Sequence, residues 1–343
     1  MRPENRKADL LSAGRILVPR SVRLPVPLSR SSAGPGGGTT SLFFRMGESL
    51  LRLEVIRAEK AAGRPGLTLR ESNGRFDIVD GARVIARNVR PLNAGFHAPG
   101  QAFINLHDRC RFRCAFCTLP VSPAKGLPAA RWAGLIKGAL ASGKADACAL
   151  TTGVPSSPAK ACRDLARLVR SIRRDFPKTP IGVEPYTVDE KDLWLLKRAG
   201  ATELKLNIQC ATEALMGRVC PDLDREGLLR NLAAGVRLFG KGRVCSNLLL
   251  GLGETDREVL RTVRKLAAMG VAVNLRALRI NALNRSPLLK ALGRQPEPPG
   301  AQRMLRLALA QKKIFARRGL DPSSFRTMCH RCTACDLEPF RDV

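Results

Sequence analysis

The chain has 343 residues, is 44% hydrophobic but only 4% aromatic, and carries a formal net charge of +30. It is long enough for one large α/β domain with smaller appendages, and no run of about 18 uncharged apolar residues predicts a membrane span. The charge permits a nucleic-acid partner. Because arginine is spread over the whole chain, with no basic block interleaved with aromatics, such a partner is possible but not favoured.

The 11 cysteines indicate a reducing compartment. Several are clustered with the spacing of metal ligands, and the others lack the pairing pattern of a small secreted scaffold. We therefore expect a cytoplasmic protein.

The first 100 residues predict two small regions before the main domain. Residues 1–45 are rich in Arg, Pro, Ser and Gly and show no sustained period, which predicts a disordered basic extension. Met46 would make an equally good start. Residues 46–100 predict a small N-terminal brace, with an amphipathic helix over 50–56 and a hairpin whose strands, 67–69 and 75–79, flank the Asn73-Gly74 turn.

Three cysteines, Cys110, Cys114 and Cys117, follow an apolar strand predicted over 102–106. Three thiolates on one short loop can hold three corners of a cubic iron–sulfur cluster and leave its fourth iron open. A zinc knuckle is the alternative, although zinc sites more often combine a CxxC pair with a second pair or with histidines.

Repeated strand–helix units follow the cysteine loop. Strands are predicted over 147–151, 181–185, 203–208, 244–250 and 271–275, each followed by a helical pattern. Helix starts are marked by Ser157 before a proline and by a capping box from Thr255 to Glu258. With the cysteine strand these units make an α/β fold, a partial (β/α)6 TIM-like barrel over 101–295, with functional residues at the carboxyl ends of the strands.

Polar residues occupy several of those strand ends. The Glu184 carboxylate suits an ammonium group or a substrate proton, and an ion pair with an arginine is the structural alternative. Asn207 and Gln209 alternate along one strand and so share a face; they either contact a ligand or satisfy backbone groups.

The segment from Cys110 to Cys117 resembles the CxxxCxxC signature of the radical S-adenosylmethionine (SAM) superfamily, with an aromatic just before the last cysteine. The resemblance implies a [4Fe–4S] cluster whose open iron binds SAM. An electron from a flavodoxin- or ferredoxin-type donor would then cleave SAM to a 5′-deoxyadenosyl radical. It also implies SAM contacts at Phe116, Thr151, Thr152, Gly153, Asn207, Gln209, Glu213, Arg218, Gly251 and Gly253.

Within this superfamily, residues 104–288 are similar to biotin synthase, chiefly in the segment from Val244 to Thr255 that contains GLGET. The likeness places Cys148 and Cys245 where biotin synthase holds two cysteines of its second, sulfur-donating cluster. Glu184 stands in place of a third. The resemblance therefore implies a biotin synthase-like radical enzyme that has lost a ligand of that cluster.

The end of the chain, 296–343, predicts a helix of roughly twenty residues from Ala301 and then a cysteine-rich tail. Cys329, Cys332 and Cys335 recur at the spacing of ligands and predict an auxiliary iron–sulfur cluster. Zinc is the alternative, because His330 adjoins the thiolates.

These observations lead to one hypothesis. A radical SAM enzyme abstracts hydrogen from a small polar substrate held near Glu184, Asn274 and Arg276, in cofactor or metabolite biosynthesis. The alternative is a radical SAM enzyme that modifies tRNA or protein by methylation or sulfur insertion.

Overall fold

The computed structural model describes residues 3–31, 34–57, 66–121 and 127–343. They form an eight-stranded sheet from the N-terminal part of the chain and a six-stranded parallel sheet from the rest. Among these residues, none of the helices has both the length and the apolar character that a membrane span requires.

The N-terminal sheet contains most of the first hundred residues. Its elements are α1 (Pro3–Ala13), β1 (Arg15–Val18), β2 (Ser29–Arg30), β3 (Thr40–Met46), β4 (Ser49–Arg57), β5 (Leu67–Ser72), β6 (Arg75–Asp80), β7 (Arg83–Ala86) and β8 (Arg90–Leu92). Strand β1 lies between β4 and β5 and is parallel to both, whereas the other pairings are antiparallel. The apolar core of this sheet includes residues of α1.

The prediction of a disordered extension over 1–45 is wrong. Strand β3 pairs with β4 along its whole length, Phe43 and Phe44 are buried, and the Lys7 ammonium is 2.5 Å from a carboxylate oxygen of Asp342 with both side chains buried. These partners lie far away in the chain, so local composition gave no sign of them.

The helix predicted over 50–56 is also wrong, because these residues lie within β4. Its Leu50, Leu51 and Leu53 are all buried, so both faces of the strand are covered. A continuous apolar run of this kind fits a buried strand as well as a helix. The hairpin is confirmed: β5 pairs with β6, and Asn73 and Gly74 have φ of 52° and 75°, as a type I′ turn requires.

The partial barrel is confirmed. Its strands are β9 (Gln101–Asn105), β10 (Ala147–Thr151), β11 (Ile181–Glu184), β12 (Glu203–Lys205), β13 (Val244–Leu250) and β14 (Ala272–Ala277), paired in chain order and all parallel. Its helices are α2 (Ala129–Ala141), α3 (Pro158–Asp175), α4 (Glu190–Ala199), α5 (Glu213–Val219), α6 (Arg225–Phe239), α7 (Asp256–Ala268) and α8 (Arg285–Leu292).

The predicted helix starts are confirmed as well. The Ser157 hydroxyl accepts a hydrogen bond from the backbone N–H of Lys160 at the start of α3. Thr255 and Glu258 cap α7 reciprocally.

The last part of the chain joins the two sheets. Helix α9 (Ala301–Arg317) packs against α1 and α7. The following segment, residues 325–343, which we call the cysteine tail, contains α10 (Met328–Cys332). It enters the barrel interior near the amino ends of the strands: the Gln101 side chain in β9 bonds to both backbone polar groups of Met328, and the Glu203 carboxylate in β12 accepts from the backbone N–H of Thr327.

Candidate active site

The loop that carries Cys110, Cys114 and Cys117 is fixed to the barrel by backbone hydrogen bonds. The N–H of Arg111 donates to the carbonyl of Val154 and that of Ala115 to Val219, both at 2.8 Å. Gly153 allows the loop to approach β10, because a Cβ at this position would lie 2.3 Å from the carbonyl oxygen of Arg109. Gly153 therefore has a packing role beneath the loop, and its predicted contact with the cofactor stays a prediction.

The three loop thiols are only partly buried, and none forms a disulfide. Burial raises the pKa of Cys110, and it raises that of Cys117 to about 12, so metal binding would have to stabilise the thiolates. The neighbouring thiols of Cys114 and Cys210, together with burial, raise the pKa of Cys220 well above its usual value.

The donor set fits a cluster better than a single ion. In the part of the chain that the structure describes, no three His, Cys, Asp or Glu side chains form a group that could hold a metal ion. A cubic cluster attaches each cysteine to a different iron and does not need the sulfurs to converge on one point.

A cavity of about 380 Å³ lies at the carboxyl ends of the barrel strands. The loop contributes Asp108, Phe116 and Leu119 to its wall, while the three loop thiols are not part of that wall. The predicted site residues that line the cavity are Phe116, Thr151, Glu184, Asn207, Gln209, Arg276, Cys329 and Cys335. One space is thus shared by the region beside the cysteine loop, the strand ends and the cysteine tail.

Glu184 belongs to a buried polar chain on the cavity wall. Its Oε1 accepts a 2.6 Å hydrogen bond from Nδ2 of Asn207 and lies 3.2 Å from Nζ of Lys205. The Lys205 ammonium also donates to Sγ of Cys329 at 3.2 Å. Burial opposes the charge of Lys205, but Cys329 and Glu184 outweigh it and hold its pKa above the usual value. The cation therefore links a strand-end carboxylate to the tail.

The cysteine tail engages two residues that were predicted to hold substrate. Nδ2 of Asn274 lies 3.3 Å from Nδ1 of His330, and Asn274 does not line the cavity. Burial lowers the pKa of His330 to about 3, so the imidazole is neutral. Arg276 lines the cavity but forms a 2.5 Å ion pair with Asp336. In this structure Asn274 therefore contacts the tail, and Arg276 has an anionic partner; a role of either in holding substrate stays a prediction.

Five further residues predicted to contact the cofactor lie outside the cavity wall: Thr152, Glu213, Arg218, Gly251 and Gly253. Glu213 starts α5 with a side chain that is 73% exposed. Arg218 donates to the carbonyls of Ala291 and Leu292 at the end of α8. Arg218 and Thr152, whose hydroxyl donates to the Gly153 carbonyl, thus satisfy backbone groups in this structure.

Gly251 and Gly253 are packing residues with φ of 109° and 111°. A Cβ on Gly251 would lie 2.6 Å from the carbonyl oxygen of Glu297, and one on Gly253 would lie 2.3 Å from the Arg294 guanidinium. The left-handed conformation and the close approach both require glycine.

Sequence reasoning missed the cationic part of the cavity wall, which includes Arg52, Lys205 and Arg279. Lys205 could have been found, because it lies two residues before Asn207 and so shares its face. Arg52 was hidden by the interpretation of β4 as a helix.

Sequence reasoning also missed the contribution of residues 34–38, which we call the glycine loop. The carbonyl of Gly34 accepts from the N–H and hydroxyl of Thr118, next to Cys117, at 3.3 and 3.2 Å. The carbonyl of Pro35 accepts from the side chains of Asn281 and Asn284. The glycine loop therefore lies on the cysteine loop and the segment after β14, and it closes one side of the cavity.

The two cysteines compared with the second cluster of biotin synthase do not share a site. Cys148 alternates with Thr151 along β10, so it points away from the cavity, and its charged neighbour is Arg173 of α3. Cys245 packs with Phe325 of the cysteine tail. The structure thus provides no second site of the biotin synthase kind between them.

A parallel partial barrel with a three-cysteine loop after its first strand, and a cavity beside that loop, defines a class of enzymes that work with a protein-bound metal cluster. Residues 104–266 match the family model described as the Radical SAM superfamily. The chain therefore contains a radical SAM domain, and it is an enzyme. That family uses a [4Fe–4S] cluster and SAM.

Solved structures give distant likenesses. Methylornithine synthase (PylB) is 15% identical with a TM-score of 0.48, over 65% of this chain and 70% of that one. A radical SAM methyltransferase from Sphaerobacter thermophilus is 17% identical with a TM-score of 0.48, over 87% and 77%.

The hydrogenase maturase HydG from Carboxydothermus hydrogenoformans is 14% identical with a TM-score of 0.49, over 64% of this chain and only 52% of that one. No curated protein matches the sequence. Identities and TM-scores this low carry no argument about the substrate.

Proposed function

We propose that the protein is a radical SAM enzyme that binds a [4Fe–4S] cluster at Cys110, Cys114 and Cys117 and acts on a small molecule in the cavity beside the cysteine loop. When bound, the cluster and SAM supply a 5′-deoxyadenosyl radical that abstracts hydrogen from the substrate. The observation that carries the proposal is the shared cavity, whose wall combines the strand ends, Phe116 and the cysteine tail.

The chain's own residues shape this cavity for a protected reaction. Phe116 is 4% exposed, and its carbonyl is fixed by Nδ2 of Asn284 at 2.9 Å, so its ring has a fixed place on the wall. The glycine loop and the cysteine tail cover sides of the cavity that the six barrel strands leave open. An enzyme that generates a radical must exclude water and other hydrogen donors from its active site.

We further propose an auxiliary iron–sulfur cluster on Cys329, Cys332 and Cys335. Cys329 and Cys335 line the cavity, and Cys332 lies in a neighbouring apolar cluster. Burial opposes ionisation of Cys335, but Arg279, Arg276 and Arg52 lower its pKa below the usual value. A buried thiolate stabilised by cations suits a cluster ligand.

A flavodoxin- or ferredoxin-type protein is the proposed electron donor. A tRNA- or protein-modifying activity is the second candidate, and it is favoured by the net charge of +30. The cavity of about 380 Å³ is in the range of small-molecule pockets, which supports the first candidate.

The test uses protein purified and reconstituted without oxygen. We expect about eight irons per chain for two cubic clusters, negligible zinc, and 5′-deoxyadenosine when SAM and dithionite are added. Cys114→Ala should reduce iron to about four per chain and abolish 5′-deoxyadenosine. The matched control is Cys148→Ala, which removes a buried thiol that faces away from the cavity.

Two outcomes would refute parts of the proposal. Formation of 5′-deoxyadenosine by Cys114→Ala would remove the assignment of the cysteine loop. Stoichiometric zinc that is lost only on replacing Cys332 would remove the auxiliary cluster and leave the cysteine loop untouched.

A further inference from the structure

Two cavity-lining guanidinium groups, those of Arg52 and Arg279, have no carboxylate partner among the described residues. The other two buried cations of the wall are paired, Lys205 with Glu184 and Arg276 with Asp336. Arg52 is 3% exposed; its Nη2 donates to Oγ of Ser31 at 2.6 Å, and its side chain lies beside the Cys335 thiol. Neither Nε of Arg52 nor Nη1 of Arg279 has a hydrogen-bond partner in the described part of the chain. Buried charges are normally paired, because leaving one alone costs several kcal/mol.

The two groups are held together on one side of the cavity. An ideal Cβ on Gly36 would lie 3.6 Å from both terminal nitrogens of Arg52 and 3.8 Å from Cδ of Arg279, so the glycine loop covers both side chains. Nη2 of Arg279 also donates to the backbone carbonyl of Arg52 at 3.2 Å. Two guanidinium groups in contact with the same loop indicate a binding site for a negatively charged group.

The positive charge of these arginines affects the pKa of the neighbouring His97. Burial lowers the pKa of His97 well below its usual value, and Arg52, Arg276 and Arg279 lower it further. The wall therefore has a strong positive potential next to the neutral imidazole.

The proposed cofactors do not balance these two charges. Each of the two proposed [4Fe–4S] cores, with charge 2+ and three thiolates, has one net negative charge; the cluster of the cysteine tail, beside the arginines through Cys335, would neutralise one guanidinium, and the cluster of the cysteine loop would balance the net charge of SAM. SAM carries a sulfonium and an ammonium against one carboxylate, so it adds a positive charge. At least one positive charge is left for a further anion.

We infer that Arg52 and Arg279 bind an oxyanion of the substrate, a carboxylate or a phosphate, so that the small molecule taken by this enzyme is an acid. Paired guanidinium forks match the planar or tetrahedral oxygens of these groups. The inference rests on the proposed function, since it assumes that the substrate shares the cavity with SAM.

The test is anaerobic calorimetry on the reconstituted holoprotein, saturated with S-adenosylhomocysteine to fill the SAM site. Inorganic phosphate and malonate are the anionic probes, and glycerol is the neutral one. We expect one or both anions to bind and glycerol not to bind; the preferred anion tells phosphate from carboxylate. Arg52→Gln and Arg279→Gln should each weaken binding about tenfold or more, the loss of a charge-assisted contact.

The control is Arg198→Gln on the outer side of α4, which should leave binding unchanged. If Arg52→Gln fails to fold because of its burial, the less buried Arg279→Gln decides. Absence of binding by both anions, or binding that neither substitution weakens, would overturn the inference. Loss of half the iron in both variants would also overturn it, because the two arginines would then serve the auxiliary cluster.

The two proposals fail separately. Anion binding that depends on the arginines, in a protein that forms no 5′-deoxyadenosine, would remove the proposed function and keep the oxyanion site. Formation of 5′-deoxyadenosine without anion binding that depends on the arginines would remove the oxyanion site and keep the proposed function.

Discussion

Substitution of Gly182 by alanine tests whether the cysteine tail occupies the barrel. Gly182 is the second residue of β11 and faces the barrel interior, where a Cβ would lie 2.1 Å from Oγ1 of Thr327 and 3.0 Å from two atoms of Met328. Ordinary contact starts at 3.4 Å, so the tail would have to move by more than about 1 Å.

Such a movement would break the bonds that hold the tail in place. The N–H and hydroxyl of Thr327 donate to Oε2 of Glu203 at 2.9 and 2.5 Å, and the N–H of Arg326 donates to Oε1 at 2.8 Å. Glu203 is 2% exposed, and a hydrogen bond to a buried charge is worth about 1.5–3 kcal/mol. Together with overpacking of about 1–3 kcal/mol, we expect a loss of about 3–5 kcal/mol.

The measurement is thermal unfolding of the holoprotein without oxygen, together with iron analysis. For a chain of this size the loss corresponds to a fall in Tm of roughly 5–10 °C, and iron should fall from about eight to about four per chain. The control is Gly134→Ala in α2, where a Cβ meets nothing and the helix should gain up to about 1 kcal/mol. A Gly182→Ala protein with wild-type Tm and iron would show that the tail does not fill the barrel.

Three further predictions concern other parts of the molecule. Gly153→Ala should displace the cysteine loop, reduce iron to about four per chain and abolish 5′-deoxyadenosine; a fully active variant would refute the packing of Gly153 beneath the loop. A chain that starts at Met46 lacks α1 and β1 to β3 and the partner of Asp342, so it should be aggregated in size-exclusion chromatography; a soluble monomer would contradict this. Burial raises the pKa of Glu338 to about 6, so its ionisation opposes folding and stability falls as the pH rises from about 4.5 to 6. Glu338→Gln should therefore gain about 1–2 kcal/mol relative to the wild type between pH 5 and pH 7.5, measured by thermal unfolding; an unchanged difference would contradict the shift.

The barrel was predictable because its signals are local. Each strand is a short apolar run, and the helix starts at Ser157 and Thr255 are marked by residues within the same turn. The loop cysteines were equally accessible, since three thiolates within one loop need no knowledge of the fold.

The N-terminal sheet was not predictable in the same way. Strand β1 is only four residues long and gains its stability from pairing with β4 and β5. The partner of Lys7, Asp342, lies 335 residues away along the sequence. Partners of this kind are absent from any local window, so the composition of residues 1–45 suggested disorder.

The cavity shows the same limit at the level of single side chains. Glu184 and Asn207 were found because strand ends of a barrel meet at one edge, and Phe116 because it precedes the last cysteine of the motif. Arg52 comes from another sheet and Arg279 from the segment after β14, and only the docking of the glycine loop brings them together. To predict that Arg52 and Arg279 lie together, one would have to know how the two sheets are arranged. The hydrophobic periodicity of the sequence carries no such information.

The polar groups of the barrel interior and those of the cysteine tail are complementary. Three barrel strands present polar or charged residues to the interior, and each of these residues has its partner on the tail: Gln101 with Met328, Glu203 with Thr327, Lys205 with Cys329, Asn274 with His330 and Arg276 with Asp336. Without the tail these groups would be buried and unsatisfied, at a cost of about 1–3 kcal/mol each and more for the charged ones. The tail is therefore an internal part of the barrel, and its cysteines reach the cavity because the segment before them is held at the amino ends of the strands.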